Sequence, residues 1–234
     1  MPGYKTKQES VVIAGVADLV IRSLLDQQQF SDPLGDGERL GISSAAWPMF
    51  GLLWPSGLQL AAQLATRPLH PTERILEIGC GLALASLVGH RRGADVTASD
   101  CHPLAGEFLA ANLRLNGLAP MKYRHGEWAT VDRPGIEDLP GCERAVRGRF
   151  ELIIGSDVLY ERDARDRLAR FIDRHATDKA QVWIVDPERG NRSAFTRAMA
   201  AAGFGLVETR LDRPATLQAP QYRGRLLSYC RGGA

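Results

Sequence analysis

The chain has 234 residues, with 29 basic against 27 acidic side chains for a net charge of +2, and is 44% hydrophobic and 24% charged. That balance suits one large α/β domain or two small ones and excludes a disordered polyelectrolyte. The longest apolar stretch near the start, Val11 to Ile21, contains Gly15 and Asp18 and falls well short of the ~20 residues of a membrane span.

No small-residue cleavage pattern follows Lys5 and Lys7, and Cys80, Cys101, Cys142 and Cys230 form no C-x-x-C pair. The sequence therefore predicts a cytoplasmic protein with reduced thiols, no bound metal and no membrane partner. Lysine occurs only at Lys5, Lys7, Lys122 and Lys179. The many arginines are interleaved with acids, as between Glu161 and Arg174. That pattern reads as a solvated helix face rather than a polyanion-binding stripe, so no nucleic-acid partner is expected.

Residues 10–25 are rich in Val, Ile and Leu and broken by Ala14-Gly15, which predicts two short strands around a turn. Residues 30–41, with Asp32-Pro33, Gly35 and Gly37, carry turn chemistry and read as a loop. The loop links an N-terminal extension, residues 1–40, to the main domain, residues 41–234. Pro55 followed by Leu58, Ala61, Ala62 and Leu64 predicts an amphipathic helix with proline in its first turn. Then come a strand over 74–78, a helix over 82–92 stopped by Gly93, and a strand over 95–99. A helix over 103–116 stopped by Gly117 and a strand over 121–125 follow.

An irregular stretch with Pro134, Gly135, Pro140 and Gly141 precedes strands over 150–155 and 181–185, each followed by a helix, at 163–175 and 193–202. The final strands, 204–209 and 226–230, have no helix between them and predict an antiparallel hairpin at one sheet edge. Repeated β-α units ending in such a hairpin define an α/β fold with a doubly wound, mostly parallel sheet. Ligands of such sheets bind beyond the carboxyl ends of the strands. Chemistry is sought there.

Arg74 to Leu84 places Gly79 and Gly81 at a strand-to-helix turn, where a ligand can approach the backbone closely. Leu84 stands where a dinucleotide fingerprint needs glycine, which weakens a pyrophosphate or NAD reading. Glu77 at the strand end would repel a pyrophosphate but favour a cationic ligand. Asp100 ends the next strand and can accept both hydroxyl hydrogens of a ribose. It can also cap the helix that begins near Pro103. Ribose binding is favoured because Glu77 and the glycines accompany it, and S-adenosyl-L-methionine is a nucleoside with the required positive charge.

With these residues the sequence resembles the seven-strand class I methyltransferases, in particular the branch of the non-SET protein-lysine methyltransferases and their bacterial relatives. The resemblance rests on Leu53-Trp54-Pro55-Ser56-Gly57, Leu76-Glu77-Ile78-Gly79-Cys80-Gly81, Thr97-Ala98-Ser99-Asp100, Glu127-Trp128 and Gly155-Ser156-Asp157-Val158-Leu159-Tyr160, in family order over residues 45–230. It implies a seven-stranded sheet and S-adenosylmethionine as cofactor. Trp54 and Trp128 should border that cofactor, Gly79 to Gly81 should pass under its amino-acid portion, and Ser156 should line the pocket near the adenosine. Cys80 is expected to make a backbone contact and not to act as a nucleophile. Ala83 replaces a third glycine common in class I enzymes and adds only a methyl group.

Asp157 to Tyr160 matches the D-x-x-Y motif at the acceptor site of that branch, so Asp157 and Tyr160 are the catalytic candidates. The Asn/Asp-Pro-Pro-Tyr signature of nucleic-acid amino-methylases and the Pro-Cys pair of cytosine-C5 enzymes are both missing. The leading expectation is N-methylation of a protein lysine. A small amine or heterocyclic nitrogen is the alternative acceptor, and a cofactor-binding interaction module without turnover is the reading from another class. His125 is expected to be a half-exposed strand residue, and residues 186–190 a rim loop.

Overall fold

The computed structural model describes residues 3–128, 145–160, 166–188, 190–215 and 221–232. The irregular stretch around residues 134–141, Cys142, and the first residues of the helix expected from 163 lie outside the described residues. The chain opens with β1 (Thr6–Val11) and β2 (Leu19–Leu24), which pair antiparallel. Where a loop was expected, a single helical turn, α1 (Asp36–Arg39), is held by Asp32, whose carboxylate accepts the Gly37 and Glu38 amides. A short 3-10 helix, Trp47–Gly51, leads into α2 (Pro55–Thr66).

The β-α alternation follows as β3 (Arg74–Ile78), α3 (Leu84–Arg91), β4 (Asp95–Asp100), α4 (Ala105–Leu115) and β5 (Lys122–His125). Gly93 at φ +89° and Gly117 at φ +63° close α3 and α4 in the left-handed conformation that glycine tolerates. Then come β6 (Phe150–Ser156), α5 (Arg167–His175), β7 (Ala176–Asp186) and α6 (Arg192–Ala201). Strand β7 starts directly at the end of α5 and is longer than the sequence pattern suggests. The hairpin of β8 (Gly205–Arg210) and β9 (Arg225–Cys230) completes the sheet.

The sheet has seven strands in the order β5-β4-β3-β6-β7-β9-β8. Pairs from β5 to β7 are parallel, and β9 is antiparallel to both of its neighbours. The chain runs outward from β3 to β5 and then returns to place β6 on the other side of β3. Strand order reverses there, so the crevice between the carboxyl ends of β3 and β6 is where an open α/β sheet takes its ligand.

Side chains alternate between two cores, as the period of two along a strand requires. Ile75, Leu152 and Ile154 pack with α2, α3, α4 and the β1–β2 hairpin. Leu76, Ile78, Ile153, Val182 and Ile184 pack with α5 and α6. Each such side chain contributes about 2 kcal/mol on burial.

The hairpin is fastened to α4 by two asparagines. Asn116 accepts the Val20 amide at 2.9 Å and donates to the Val20 carbonyl at 2.8 Å. Asn112 does the same for Arg22, at 2.7 and 3.3 Å. Residues four apart on a helix are separated by about 6 Å, and alternate strand residues by about 6.8 Å. The two carboxamides therefore stand in for a neighbouring strand. Replacing the buried Asn112 by leucine leaves the Arg22 amide and carbonyl without partners, and is expected to cost about 1–3 kcal/mol in denaturant unfolding. An unchanged midpoint would show that this clamp carries no stability.

Candidate active site

The carboxyl ends of the central strands open on a cavity of about 1060 Å³, room for a nucleoside cofactor together with the end of an acceptor side chain. Its floor is the turn after β3. Gly79 and Gly81 sit at φ +56° and +51°, and a Cβ on Gly81 would stand 2.8 Å from the Phe50 carbonyl oxygen. A Cβ on Gly79 would meet Val158 Cγ1 at 3.0 Å and the Trp128 ring at 3.5 Å. Only glycine leaves this floor open. Cys80 between them is buried and its amide donates to the Ser99 carbonyl at 2.9 Å. Burial pushes its thiol well above the ordinary range, which makes it a poor nucleophile.

Ala83 is more than an added methyl. It is fully buried at φ +59°, a conformation that costs an L-residue roughly 1–2 kcal/mol. The helix consequently begins at Leu84, two residues later than the sequence predicts.

Asp100 reaches from the end of β4 to the neighbouring turn. Its Oδ2 accepts the Gly81 amide at 2.8 Å and its Oδ1 accepts the His102 amide at 2.8 Å. A carboxylate has about four acceptor positions, so capping and ribose binding are compatible in this one side chain. Burial raises its pKa, while these amide bonds pull it down. Glu77 is also on the cavity wall and only 3% exposed; its Oε2 accepts the Ser86 amide in the first turn of α3 at 2.7 Å. Burial pushes its pKa up to about 7, the Ser86 bond opposes this, and the nearby Asp100 charge adds to it.

Past β6 the chain turns sharply at Asp157, which holds φ +57° while its amide donates to the Val185 carbonyl at 3.1 Å. Val158 and Leu159 are thereby buried, and Tyr160 is left 51% exposed at the cavity mouth. Ser156 Oγ lies 3.6 Å from where Gly57 would carry a Cβ, which places the start of α2 against the end of β6. The Trp54 indole donates to the Met49 carbonyl at 2.9 Å, and that bond fixes its ring in the wall. Trp54, Glu77, Gly79, Cys80, Gly81, Asp100, Trp128, Ser156, Asp157 and Tyr160 all border this one cavity.

Other wall residues were not singled out from the sequence. Leu40 and Gly41, at the end of the stretch read as a linker, and Ile42, Ser43, Ala45 and Ala46 just beyond it form one side. Behind them His102 stacks on Phe50 at 3.7 Å, with Trp47 edge-on at 5.2 Å. Burial lowers the His102 pKa to about 3, so the ring stays neutral. The apolar run Trp47-Pro48-Met49-Phe50, with an aromatic ring at each end, was the available signal. His125, expected half-exposed, is buried at 3%, and Asp186 is buried at the end of β7 before the chain reaches the rim. No group of residues suited to a metal ion occurs among the described residues.

A seven-stranded sheet of this order, with a glycine turn after β3 and a carboxylate at the end of β4, defines the class I methyltransferase fold. Solved structures agree. The magnesium protoporphyrin IX methyltransferase of Synechocystis PCC 6803, crystallised with S-adenosylmethionine, aligns with a TM-score of 0.56 at 16% identity over 76% of this chain and 78% of that one. A ribosomal protein L11 methylase from Lactobacillus delbrueckii aligns at 0.53 and 19% identity over 78% and 81%.

A lysine methyltransferase family model matches residues 48–201, and the chain belongs to that family. It is 26% identical over 180 residues to the mouse electron transfer flavoprotein beta subunit lysine methyltransferase, covering 76% of this chain and 64% of the relative. It is 28% identical over 136 residues to the human histone-arginine methyltransferase METTL23, covering 56% and 67%. The chain thus spans somewhat under two thirds of the mouse relative's length.

S-adenosylmethionine is the cofactor for which these residues are suited: the glycine cradle leaves space that a Cβ would fill, and two acids, Glu77 and Asp100, border the same space and suit a cationic ligand. Glu77 gives a test. With a folded pKa near 7, its contribution to stability is full below the ordinary carboxylate range and lost as pH rises through 7. A cation beside it favours the ionised form, so binding expels a proton below pH 7. S-adenosylhomocysteine, whose amino group is cationic, is expected to bind about tenfold tighter at pH 8 than at pH 6 by calorimetry, and Glu77→Gln to flatten that slope. The same variant should melt above wild type at pH 8 and level with it at pH 5. A slope unchanged by the substitution would remove Glu77 from the cofactor site.

Proposed function

We propose that this chain transfers a methyl group from S-adenosylmethionine to the side-chain nitrogen of a protein lysine. The reading is carried by one observation: Asp157 and Tyr160 open onto the same cavity as Glu77, Asp100 and the glycine turn. When bound, S-adenosylmethionine supplies a methyl on positively charged sulfur, open to in-line attack. Glu77 and Asp100 hold its amino and ribose ends, Trp54 and Trp128 wall it from water, and Ser156 lines the adenosine side.

The acceptor must arrive neutral. A lysine of pKa ~10.4 is uncharged only about once in 2,500 at pH 7, and desolvation inside the cavity favours the neutral form. Asp157 orients the amine by a hydrogen bond. A carboxylate also raises an amine's pKa, so positioning is its first role and proton acceptance its second. Rate is gained mainly from alignment of nitrogen, methyl and sulfur. The family description and the name of the mouse relative support a protein lysine as acceptor. The cytoplasmic location expected from the cysteine pattern is part of the same proposal.

Asp157→Ala is expected to keep the affinity for S-adenosylhomocysteine and lower turnover about a hundredfold or more, whereas Asp100→Ala weakens that affinity about tenfold. Equal binding losses would contradict the separate roles. Labelled methyl transfer into a cell lysate, followed by hydrolysis, should return methyl-lysine from protein for wild type. Label in the small-molecule fraction would point to an amine acceptor, and binding without transfer would overturn the enzymatic reading.

A further inference from the structure

We propose that the acceptor protein presents its target lysine on an acidic surface, and that the outer face of α5 together with the adjoining end of α6 docks it. This rests on the methyl-transfer reading above. Charge is divided along the cavity. Glu77, Asp100, Glu127 and Asp157 line it around the glycine turn, whereas Arg167 and Arg197 line it where α5 and α6 begin to border it, with Asp166 the acid beside them. The inner part suits a cationic cofactor. The outer part suits an anion.

The basic surface extends outward from the mouth. Helix α5 buries Leu168, Ala169, Phe171, Ile172 and His175. Arg167, Arg170 and Arg174 recur at i, i+3 and i+7 and share the opposite face, with Arg170 and Arg174 exposed. The acid on this helix, Asp173, is taken by Arg231. The arginines of the neighbouring hairpin are likewise engaged, Arg225 with Glu208 and Glu188, and Arg210 with Glu188 and Asp212. Arg167, Arg170, Arg174 and Arg197 form no ion pair among the described residues. Interleaved acids in the sequence suggest a neutralised helix face, but among the described residues Asp173 is directed to Arg231, and Arg167, Arg170 and Arg174 keep no ion-pair partner.

Cations at this mouth with no ion-pair partner among the described residues have two effects on an arriving amine. They disfavour its protonated form, which helps the chemistry, and they repel a basic partner surface. Carboxylates flanking the target lysine cancel that repulsion and steer the encounter. An RNA would meet the same arginines but offers no aliphatic amine to enter the cavity.

The test measures methyl transfer by the full chain with S-adenosylmethionine to lysine peptides flanked by glutamate, serine or arginine. At about 50 mM salt the glutamate-flanked peptide is expected to be used about tenfold better in kcat/KM, with the preference shrinking at about 300 mM. Arg167→Glu combined with Arg197→Glu should abolish the preference through KM while leaving S-adenosylhomocysteine affinity and Tm unchanged. Arg170→Glu combined with Arg174→Glu, outside the cavity, should weaken it in the same direction. Equal use of all peptides, a preference that survives charge reversal, or stronger inhibition by oligouridine than by polyglutamate would overturn this docking surface alone. Cofactor binding with no transfer to any peptide or lysate protein would overturn the methyl-transfer reading, and this proposal with it.

Discussion

The hydrogen bond from the Gly81 amide to the Asp100 carboxylate joins two crossover turns that belong to different β-α units. One lies after β3 and the other after β4. Gly81 is held in a left-handed conformation against the Phe50 carbonyl, and Asp100 is buried with its charge resting on two backbone amides. A buried carboxylate is costly unless it is hydrogen-bonded, and a glycine turn is entropically expensive unless it is fixed. Each relieves the other's cost. The cavity floor, the start of α3 and the wall formed by Phe50 and His102 all take their positions from that junction.

Backbone strain is concentrated in the same region. The non-glycine residues with left-handed backbones among those described are Ala83, Asp157, Asp166 and Glu188. The first three border the cavity. Such conformations persist where the surroundings over-determine them, and they cluster where a side chain must be aimed rather than packed. At Asp157 the turn serves that purpose directly, because it separates the buried Val158 and Leu159 from the acid and the tyrosine on either side of them, both of which border the cavity.

Much of this arrangement could be read from the sequence because parallel strands covered on both faces leave continuous apolar runs, and because glycine, proline and acids mark where those runs end. The β-α order, the closing glycines Gly93 and Gly117, and the C-terminal hairpin all follow from such local signals. What escaped depended on tertiary contact. Residues 40–46 carry no periodicity that distinguishes a wall from a linker, and the burial of His125 depends on the pairing of β5 with β4 and on Ala145 beyond it. The strain at Ala83 could not be inferred from its identity, since a methyl group is harmless or costly according to φ alone. Nor does the alternation of charge between Glu161 and Arg174 reveal that Asp173 turns toward Arg231. Glu77, Gly79, Cys80, Asp100, Ser156 and Asp157 were identifiable because each stands within two positions of a strand end, where this topology gathers ligand contacts, whereas Gly81, Trp128 and Tyr160 lie three or four positions beyond one and Trp54 stands before α2, away from any strand end.

The asparagine pair on α4 also bears on how the chain behaves in company. A two-stranded ribbon has two borders, each a row of amides and carbonyls onto which a further strand can add. Asn112 and Asn116 occupy one of them from within the molecule. The other carries the charged pair Lys7 and Glu9 along β1, which discourages a second copy from approaching. Sealed on one side and charged on the other, the ribbon is shielded from the edge-to-edge growth that leads to fibrous aggregates, and it is α4, a helix packed against the main sheet, that supplies half of this protection.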